Sequence, residues 1–230
     1  MGGEFSDKVC VVIPAFNEED SIYEVVKKAL GVGPGIKVIV VDDGSTDMTA
    51  ELAEKAGAQV IRHSRNVGQW EALRTGFREA LRQGFSIVIS MDGDGQHDPK
   101  DIPSLVEPIA SRSADLVIGS RMMGGRTYML PYRYAGIRFF SLVLSFLTGS
   151  RLTDVLSGFR AYRSGLLKAM LGRLRERQYG VLEATLVAWR LGARIIERPV
   201  GFTAKRISKK GSLRFFFNLC RVLIRSLLMG

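Results

Sequence analysis

The chain has 230 residues, 46% of them hydrophobic and 24% charged, which is ordinary for a globular protein and excludes a disordered one. Its net charge of +10 is unevenly spread: residues 1–120 hold 12 Lys/Arg against 19 Asp/Glu, net −7, and residues 121–230 hold 21 against 4, net +17. Two cysteines, Cys10 and Cys220, exclude a disulfide framework or a cysteine metal cage and fit a reducing compartment. No segment reaches about eighteen uncharged apolar residues, so no transmembrane helix is expected within the chain. The start, Met1-Gly2-Gly3-Glu4, is acidic rather than basic, so no signal peptide is expected either.

The first half alternates. "KVCVVIP" (8–14) reads as a strand, 18–30 as a helix, and "IKVIVV" (36–41) as a strand. Residues 46–57 read as a helix capped by Ser45 or Asp47, 58–63 as a strand, and 67–84 as a helix. A strand over 86–91, a helix over 99–112 and a strand over 115–119 follow. Near-continuous Val/Ile strands separated by helices predict an α/β fold, a mostly parallel sheet with helices on both faces.

In such sheets ligands bind beyond the carboxyl ends of the strands. Those ends read Pro14-Ala15-Phe16-Asn17-Glu18, Asp42-Asp43-Gly44-Ser45-Thr46-Asp47, Arg65-Asn66-Val67-Gly68, Asp92-Gly93-Asp94-Gly95-Gln96-His97 and Gly119-Ser120-Arg121. Each alone could be a turn or a cap. Five on one edge read as a site.

In the second half, 131–149 carries its basic residues at the front and an apolar stretch, 139–147, behind. Residues 179–191 read as a late helix whose one acidic residue is Glu183. The tail places Arg214, Asn218, Arg221 and Arg225 on one helical stripe, with Leu, Phe, Val, Ile, Cys or Met beside it. A narrow cationic face and a wide apolar one suit a membrane interface; the alternative is a helix docked on its own protein. "KRISKK" (205–210) would add attraction to anionic lipid, about 1 kcal/mol per basic side chain near the surface.

Which chemistry do the strand ends serve? The dinucleotide fingerprint G-x-G-x-x-G is absent after the first strand, and so is the P-loop pattern. An EF-hand starting at Asp92 fails, because position six is His97 rather than Gly and position twelve is Pro103 rather than Glu. A strand alternates sides, so Asp92, Asp94 and Gln96 can point the same way, as three oxygen donors for a hard cation or as a hydrophilic turn. What remains is a carboxylate-rich nucleotide site served by a divalent metal.

"PAFNEE" (14–19), "DDGSTD" (42–47), "DGDGQH" (92–97), "GSR" (119–121) and "SGFRAYR" (157–163) together resemble, in this order, the inverting family 2 glycosyltransferases. Dolichol-phosphate mannose synthases and related polyprenyl-phosphate hexosyltransferases are the nearest likeness, over roughly residues 8–200. The resemblance implies a GT-A fold over 1–204, including an interfacial segment at 131–149, followed by a basic amphipathic extension at 205–230. It implies a nucleotide-diphosphate sugar donor, GDP-mannose favoured, and Mg²⁺ or Mn²⁺ as cofactor. Carried over by motif, Pro14, Ala15, Phe16, Glu18, Asp42, Asp43, Asp92 and Gly93 would bind the nucleotide sugar. Phe16 stands where the family commonly has Tyr. Asp94 and Gln96 would reach the metal, with Asp92 as a third ligand, and Gly93 and Gly95 would let backbone approach the diphosphate. Asp94, Arg121 and Arg138 would act in catalysis.

The acceptor implied is a dolichyl or polyprenyl phosphate at a membrane surface, on the cytoplasmic face. Its phosphate would be held by Arg133, Arg138, Ser141 and Arg160; the family patterns "R-x-x-S" and "D-x-x-SGF" match Arg138/Ser141 and Asp154/Ser157-Gly158-Phe159. A packing role for Arg160, paired with Asp154, is the alternative for that residue. The family's R-x-x-G-x-S-K pattern is scrambled in "AKRISKKGSLR", leaving Lys205, Arg206, Lys209 and Lys210 as candidates for closing over the diphosphate. Family members often continue into transmembrane helices. A second enzymatic reading, transfer to a hydroxyl of a glycan or lipid, needs a general base, and the Q-x-x-R-W motif of processive synthases is absent. A nucleic-acid-binding protein would explain the basic half but leaves the clustered aspartates without purpose, so no nucleic-acid partner is expected.

Overall fold

A computed structural model describes residues 8–124, 131–203 and 212–228. Lys205, Arg206, Lys209 and Lys210 lie outside the described residues. The first half follows the expected alternation: β1 (Val9–Ala15), α1 (Ile22–Leu30), β2 (Ile36–Asp42), α2 (Thr49–Ala56), β3 (Gln59–Arg62), α3 (Gln69–Arg82), β4 (Ile87–Ser90), α4 (Ile102–Ala110) and β5 (Leu116–Ser120). The helices start later than their sequence patterns suggest, because the strand ends spend two to four residues on turns before the chain winds up. A single 3₁₀ turn, Pro99–Asp101, occupies the front of the expected fourth helix, with Asp98 accepting a bond from the Lys100 amide.

The second half adds α5 (Pro131–Thr148), β6 (Arg160–Arg163), α6 (Ser164–Leu171), α7 (Val181–Arg190), β7 (Ile195–Pro199) and α8 (Ser212–Leu228). The sheet runs β3-β2-β1-β4-β6-β5-β7. Among the described residues only β6 runs against its neighbours: it is antiparallel to both β4 and β5, while the other paired strands are parallel. The carboxyl ends of β1 to β5 therefore share one edge, as expected. The sequence reading lacked β6 and β7, since "RAYR" offers four residues with arginine at both ends and no apolar alternation.

Burial on both faces explains the Val/Ile runs. Along β1, Val9, Val11, Ile13 and Ala15 enter one core with α1, α2 and α4. Cys10 and Val12 enter the other, with Trp70, Leu73 and Phe77 of α3 and Leu166 and Leu167 of α6. This is the period-two signature of a strand with no solvent face. A third cluster joins Phe140 and Leu144 of α5, Leu182 and Leu186 of α7, and Leu219, Val222 and Leu223 of α8. Helix α8 is thus docked on the protein by one face. Part of its expected cationic stripe is used internally, since Arg221 and Arg225 pair with the buried Glu176 at 3.3 and 3.2 Å. Its remaining side stays apolar and exposed at Phe217, Ile224 and Leu228, and α5 does the same with Phe139, Leu142 and Phe146. Among the described residues no helix is long and apolar enough to cross a membrane.

Candidate active site

The strand ends close around a cleft of about 370 Å³ lined by residues of β1 (Pro14, Ala15), the turn after it (Phe16, Glu18) and the β4 end (Asp92, Gly93, Asp94), with Asp43 and Asn66 opposite. The turn after β1 is laced to the turn after β2: the Asn17 amide donates to Ser45 Oγ, the Glu18 amide to Thr49 Oγ1, and Asn17 Oδ1 accepts from the Thr46 amide. Asp43 is nearly buried and serves as a hub. Its oxygens accept from the Val67 and Gly68 amides at 3.0 and 2.8 Å, and His63 Nδ1 lies 2.8 Å away. The floor of the cleft is therefore set by carboxylate-to-amide bonds that strengthen because the acceptor is charged.

Asp42 does not join the cleft lining. It is fully buried, accepts from the Ser45 amide at 2.9 Å and faces Arg62 Nε at 3.2 Å, which makes it a brace for the turn. Neither Ser45 nor Asp47 is the N-cap of α2: that position is Met48, which makes no side-chain cap bond, while Asp47 accepts from the Thr49 amide and Ser45 from the Asn17 amide.

At the β4 end, Asp92 Oδ1 accepts from Gln69 Nε2 at 2.9 Å. A methyl at Gly158 would stand 3.3 Å from both Asp92 oxygens, so the glycine of "SGF" is what admits this carboxylate. Asp94 Oδ1 accepts from the Gln96 amide at 2.9 Å. Burial, then the negative charges of Asp94, Asp92 and Asp47, push the Glu18 carboxyl above its usual range; a bond from Ser21 opposes the shift. Burial likewise raises Asp92, with Arg121 and Gln69 pulling it back down. Several carboxylates kept close enough to perturb one another form a site of negative potential, which a hard cation with oxygen ligands would relieve.

Gln96 does not line this cleft with the two aspartates. Strand β4 ends at Ser90, so strict alternation no longer holds, and Gly95 turns the chain at φ +70°. Gln96 lies instead along a second, more apolar cleft of about 290 Å³, beside Arg121 and Arg133 and against Phe140, Phe202 and Phe216. The two clefts adjoin at the β4 end, with Asp94 on one and Gln96 on the other. Among the described residues no group of three His, Cys, Asp or Glu side chains is placed to hold a metal. A cation at Asp92 and Asp94 would therefore share its coordination with substrate phosphate, the usual mode for Mg²⁺.

The four arginines expected near the acceptor, Arg121, Arg133, Arg138 and Arg160, stand in four different surroundings. Arg121 is held by a bidentate pair with buried Asp154 (Nε–Oδ2 2.6 Å, Nη2–Oδ1 2.8 Å) and lies over the Phe202 ring at 5.3 Å. Asp154 is in turn fixed by its amide donating to Glu197 Oε1 at 2.8 Å. Arg133, in the first turn of α5, lines the second cleft. Arg138 is exposed and stands about 140° round the helix from Arg133; it lines neither cleft.

Arg160 and Ser141 are corrected outright. Arg160 is fully buried, and its guanidinium donates to the carbonyls of Ser157, Val155 and Val181 and to Thr185 Oγ1. It does not pair with Asp154 and does not reach either cleft. Ser141 is buried, and its hydroxyl accepts from the Val155 amide at 3.2 Å. Both residues stitch the 154–157 turn in place. The sequence reading also passed over Gln69 and Gln178, which line the first cleft. Gln69 directly follows a strand-end motif and was within reach of the same reasoning. Gln178 sits in the turn before α7, whose position is set by Trp70 and Glu71 amides donating to the Arg177 carbonyl, and no local pattern announces it.

The model of the family "Glycosyl transferase family 2" matches residues 10–171. The chain is 34% identical over 215 residues to the undecaprenyl-phosphate mannosyltransferase of Micrococcus luteus, spanning 88% of this chain and 86% of that one. It is 31% identical over 219 residues to the polyprenol monophosphomannose synthase of Mycolicibacterium smegmatis, spanning 88% and 80%. Among solved structures, glucosyl-3-phosphoglycerate synthase from Mycobacterium tuberculosis, in complex with Mn²⁺, UDP and glucosyl-3-phosphoglycerate, aligns with a TM-score of 0.74 at 25% identity, covering 97% of this chain and 80% of that one. The same enzyme with Mg²⁺ and UDP aligns at 0.69 and 26% identity, covering 97% and 79%. The polar ends of β1 to β5 thus fall inside the region matched by the family model, and the chain belongs to glycosyl transferase family 2, as an enzyme of GT-A fold.

Proposed function

We propose that this glycosyltransferase moves one hexose from a nucleotide-diphosphate sugar, GDP-mannose favoured, onto the phosphate of a polyprenyl or dolichyl phosphate, with inversion at the anomeric carbon. The observation that carries the reading is the meeting of two unlike clefts at the β4 end: one lined by carboxylates and amides, the other by arginines and aromatic rings. The names of the mannosyltransferase and mannose synthase relatives support the same acceptor class.

In this reading the nucleotide occupies the first cleft, against Pro14, Phe16, Glu18 and Asp43. Asp92 and Asp94 are the donors that would hold Mg²⁺ or Mn²⁺, which when bound offsets charge building on the departing diphosphate. The acceptor phosphate sits at the mouth of the second cleft near Arg121 and Arg133. Its second pKa is about 6, so its oxygen is already an anionic nucleophile near neutrality. It attacks the anomeric carbon from the side opposite the diphosphate, forming the new C–O bond as the bond to the leaving nucleoside diphosphate breaks. Positioning and charge neutralisation carry the step, and no strong general base is required. Glu183 does not supply one: it is nearly buried and accepts from the Arg175 and Glu176 amides, which weighs against the hydroxyl-acceptor alternative.

The exposed apolar side chains of α5 and α8, Phe146 at 87% and Leu228 at 82% among them, support seating on a membrane surface. Unpaired Cys10 and Cys220 suit its cytoplasmic face. The second cleft is small for a long lipid. An apolar cavity of about 150 Å³ holds one benzene, so one of about 290 Å³ holds some ten to twelve carbons, or two isoprene units. Transfer to a detergent-dispersed two-unit acceptor, geranyl phosphate, is therefore expected within about tenfold of the kcat/KM for longer chains. A requirement for four or more units would place lipid recognition elsewhere.

Arg133→Ala is expected to raise the acceptor KM by about tenfold or more, the range for a lost charge-assisted bond, while leaving donor KM near wild type. Arg138→Ala is expected to change either by less than about threefold; the reverse ranking would move the acceptor to the outer face of α5. The defining experiment measures radiolabelled sugar entering an organic-extractable lipid from GDP- and UDP-sugars, with and without EDTA. Chelator-sensitive label from one donor establishes the reaction and names the sugar. Donor hydrolysis without labelled lipid would overturn the acceptor assignment.

A further inference from the structure

Between the two clefts lies His97, absent from the site assignments made above although it ends the "DGDGQH" motif. Its ring is stacked on Phe159 at 5.0 Å and tilted against Phe202 at 6.3 Å, and its backbone bridges to Phe202. The side chain is 2% exposed, and Nδ1 has no hydrogen-bond partner among the described residues. A buried polar atom left in that state is uncommon and calls for an account. The group it faces is Asp92: Nδ1 stands 3.8 Å from Oδ2, just outside bonding range. The other oxygen, Oδ1, is already taken by Gln69, and Gly158 lies against both. An imidazole carries a proton on at least one ring nitrogen, so Nδ1 can serve as the donor to this carboxylate.

We propose that His97 is a positioning residue, whose Nδ1–H closes onto Asp92 Oδ2 when nucleotide fills the first cleft and so completes the hold on that carboxylate. The inference rests on the donor-site reading above. Because the same ring packs on Phe202, which also lies under Arg121, closure at Asp92 is mechanically continuous with the wall of the second cleft.

The test uses three variants and calorimetric titration with GDP and with UDP, each with Mn²⁺, beside steady-state KM for both substrates. In His97→Asn the amide nitrogen reproduces the reach of Nδ1; in His97→Gln it falls at the Nε2 position; His97→Leu keeps only bulk. Asn is expected within about threefold of wild-type nucleotide affinity, and Gln and Leu weaker by about tenfold or more, with acceptor KM moved by less than about threefold in Asn and Gln. Equal weakening of Asn and Gln, or no weakening of Gln, would overturn the proposal in favour of simple packing. Should Leu fail a thermal-melt check, the Asn/Gln pair decides alone. Wild-type protein that binds neither nucleotide would instead overturn the donor-site reading itself.

Discussion

Replacing Asp94 with alanine is expected to lower turnover by at least about 10²- to 10³-fold, the loss seen when one preorganised group that stabilises developing charge is removed. Asp94 lies in the cleft lining with Asp92, and its charge is the largest electrostatic contribution raising Glu18. Removing it takes away an oxygen donor that would share a cation with the diphosphate. It also lets the Glu18 carboxyl fall back toward its usual range, a shift readable by carboxylate NMR titration. The side chain is only partly buried, so the melting temperature is expected to stay within a few degrees of wild type. Full activity in added Mn²⁺ would sink the metal assignment. EDTA treatment of the wild type should mimic the variant, and divalent metal should restore the wild type alone.

Arg160→Leu is expected to act in the opposite way, on stability rather than on substrate. The guanidinium is fully buried and supplies bonds of 2.6–3.2 Å to three carbonyls and one hydroxyl. Leucine would fill part of the volume but leave those acceptors facing an apolar group, and breaking such a buried charged network costs about 3–5 kcal/mol. At this chain length that corresponds to a fall in Tm of roughly 10 °C. Lysine is no remedy, because one ammonium cannot span carbonyls on two elements in the plane of a guanidinium. Thermal or urea denaturation checks the size of the effect. The remaining folded fraction should keep an acceptor KM near wild type. A selective loss of acceptor use with unchanged stability would return Arg160 to the site.

The Arg121–Asp154 pair links the two predictions. The turn that Arg160 secures, residues 154–157, carries Asp154, and Asp154 orients Arg121 at the second cleft. Failure of the buried network would therefore reach the second cleft through this turn, whose Leu156 is itself part of the cleft lining.

By itself the sequence determined the alternation of strands and helices through β5, the burial of both sheet faces, and the edge at which polar residues collect. Each of these is a local property. Val9 to Ile13 are apolar without interruption because both faces are covered, and Asp43, Asp92 and Asp94 stand where strands end because backbone there is free to turn toward a ligand. The motifs also sufficed to identify the family.

The tertiary structure alone decided which of several similar residues does what. Arg133 and Arg138 are five residues apart on one helix, and only the seat of α5 against α8 and Phe202 brings the first into the cleft. Arg160 reads like any strand-end arginine until β6 is inserted antiparallel between β4 and β5, which turns its side chain into the 154–157 turn. Gln96 leaves the company of Asp92 and Asp94 because β4 has already ended at Ser90 and the chain turns at Gly95. Gln178 reaches the first cleft through the Arg177 carbonyl's bonds to α3, more than a hundred residues away in the chain. Periodicity reports how a residue faces within its own element; these placements depend on contacts between distant elements, which no local pattern encodes.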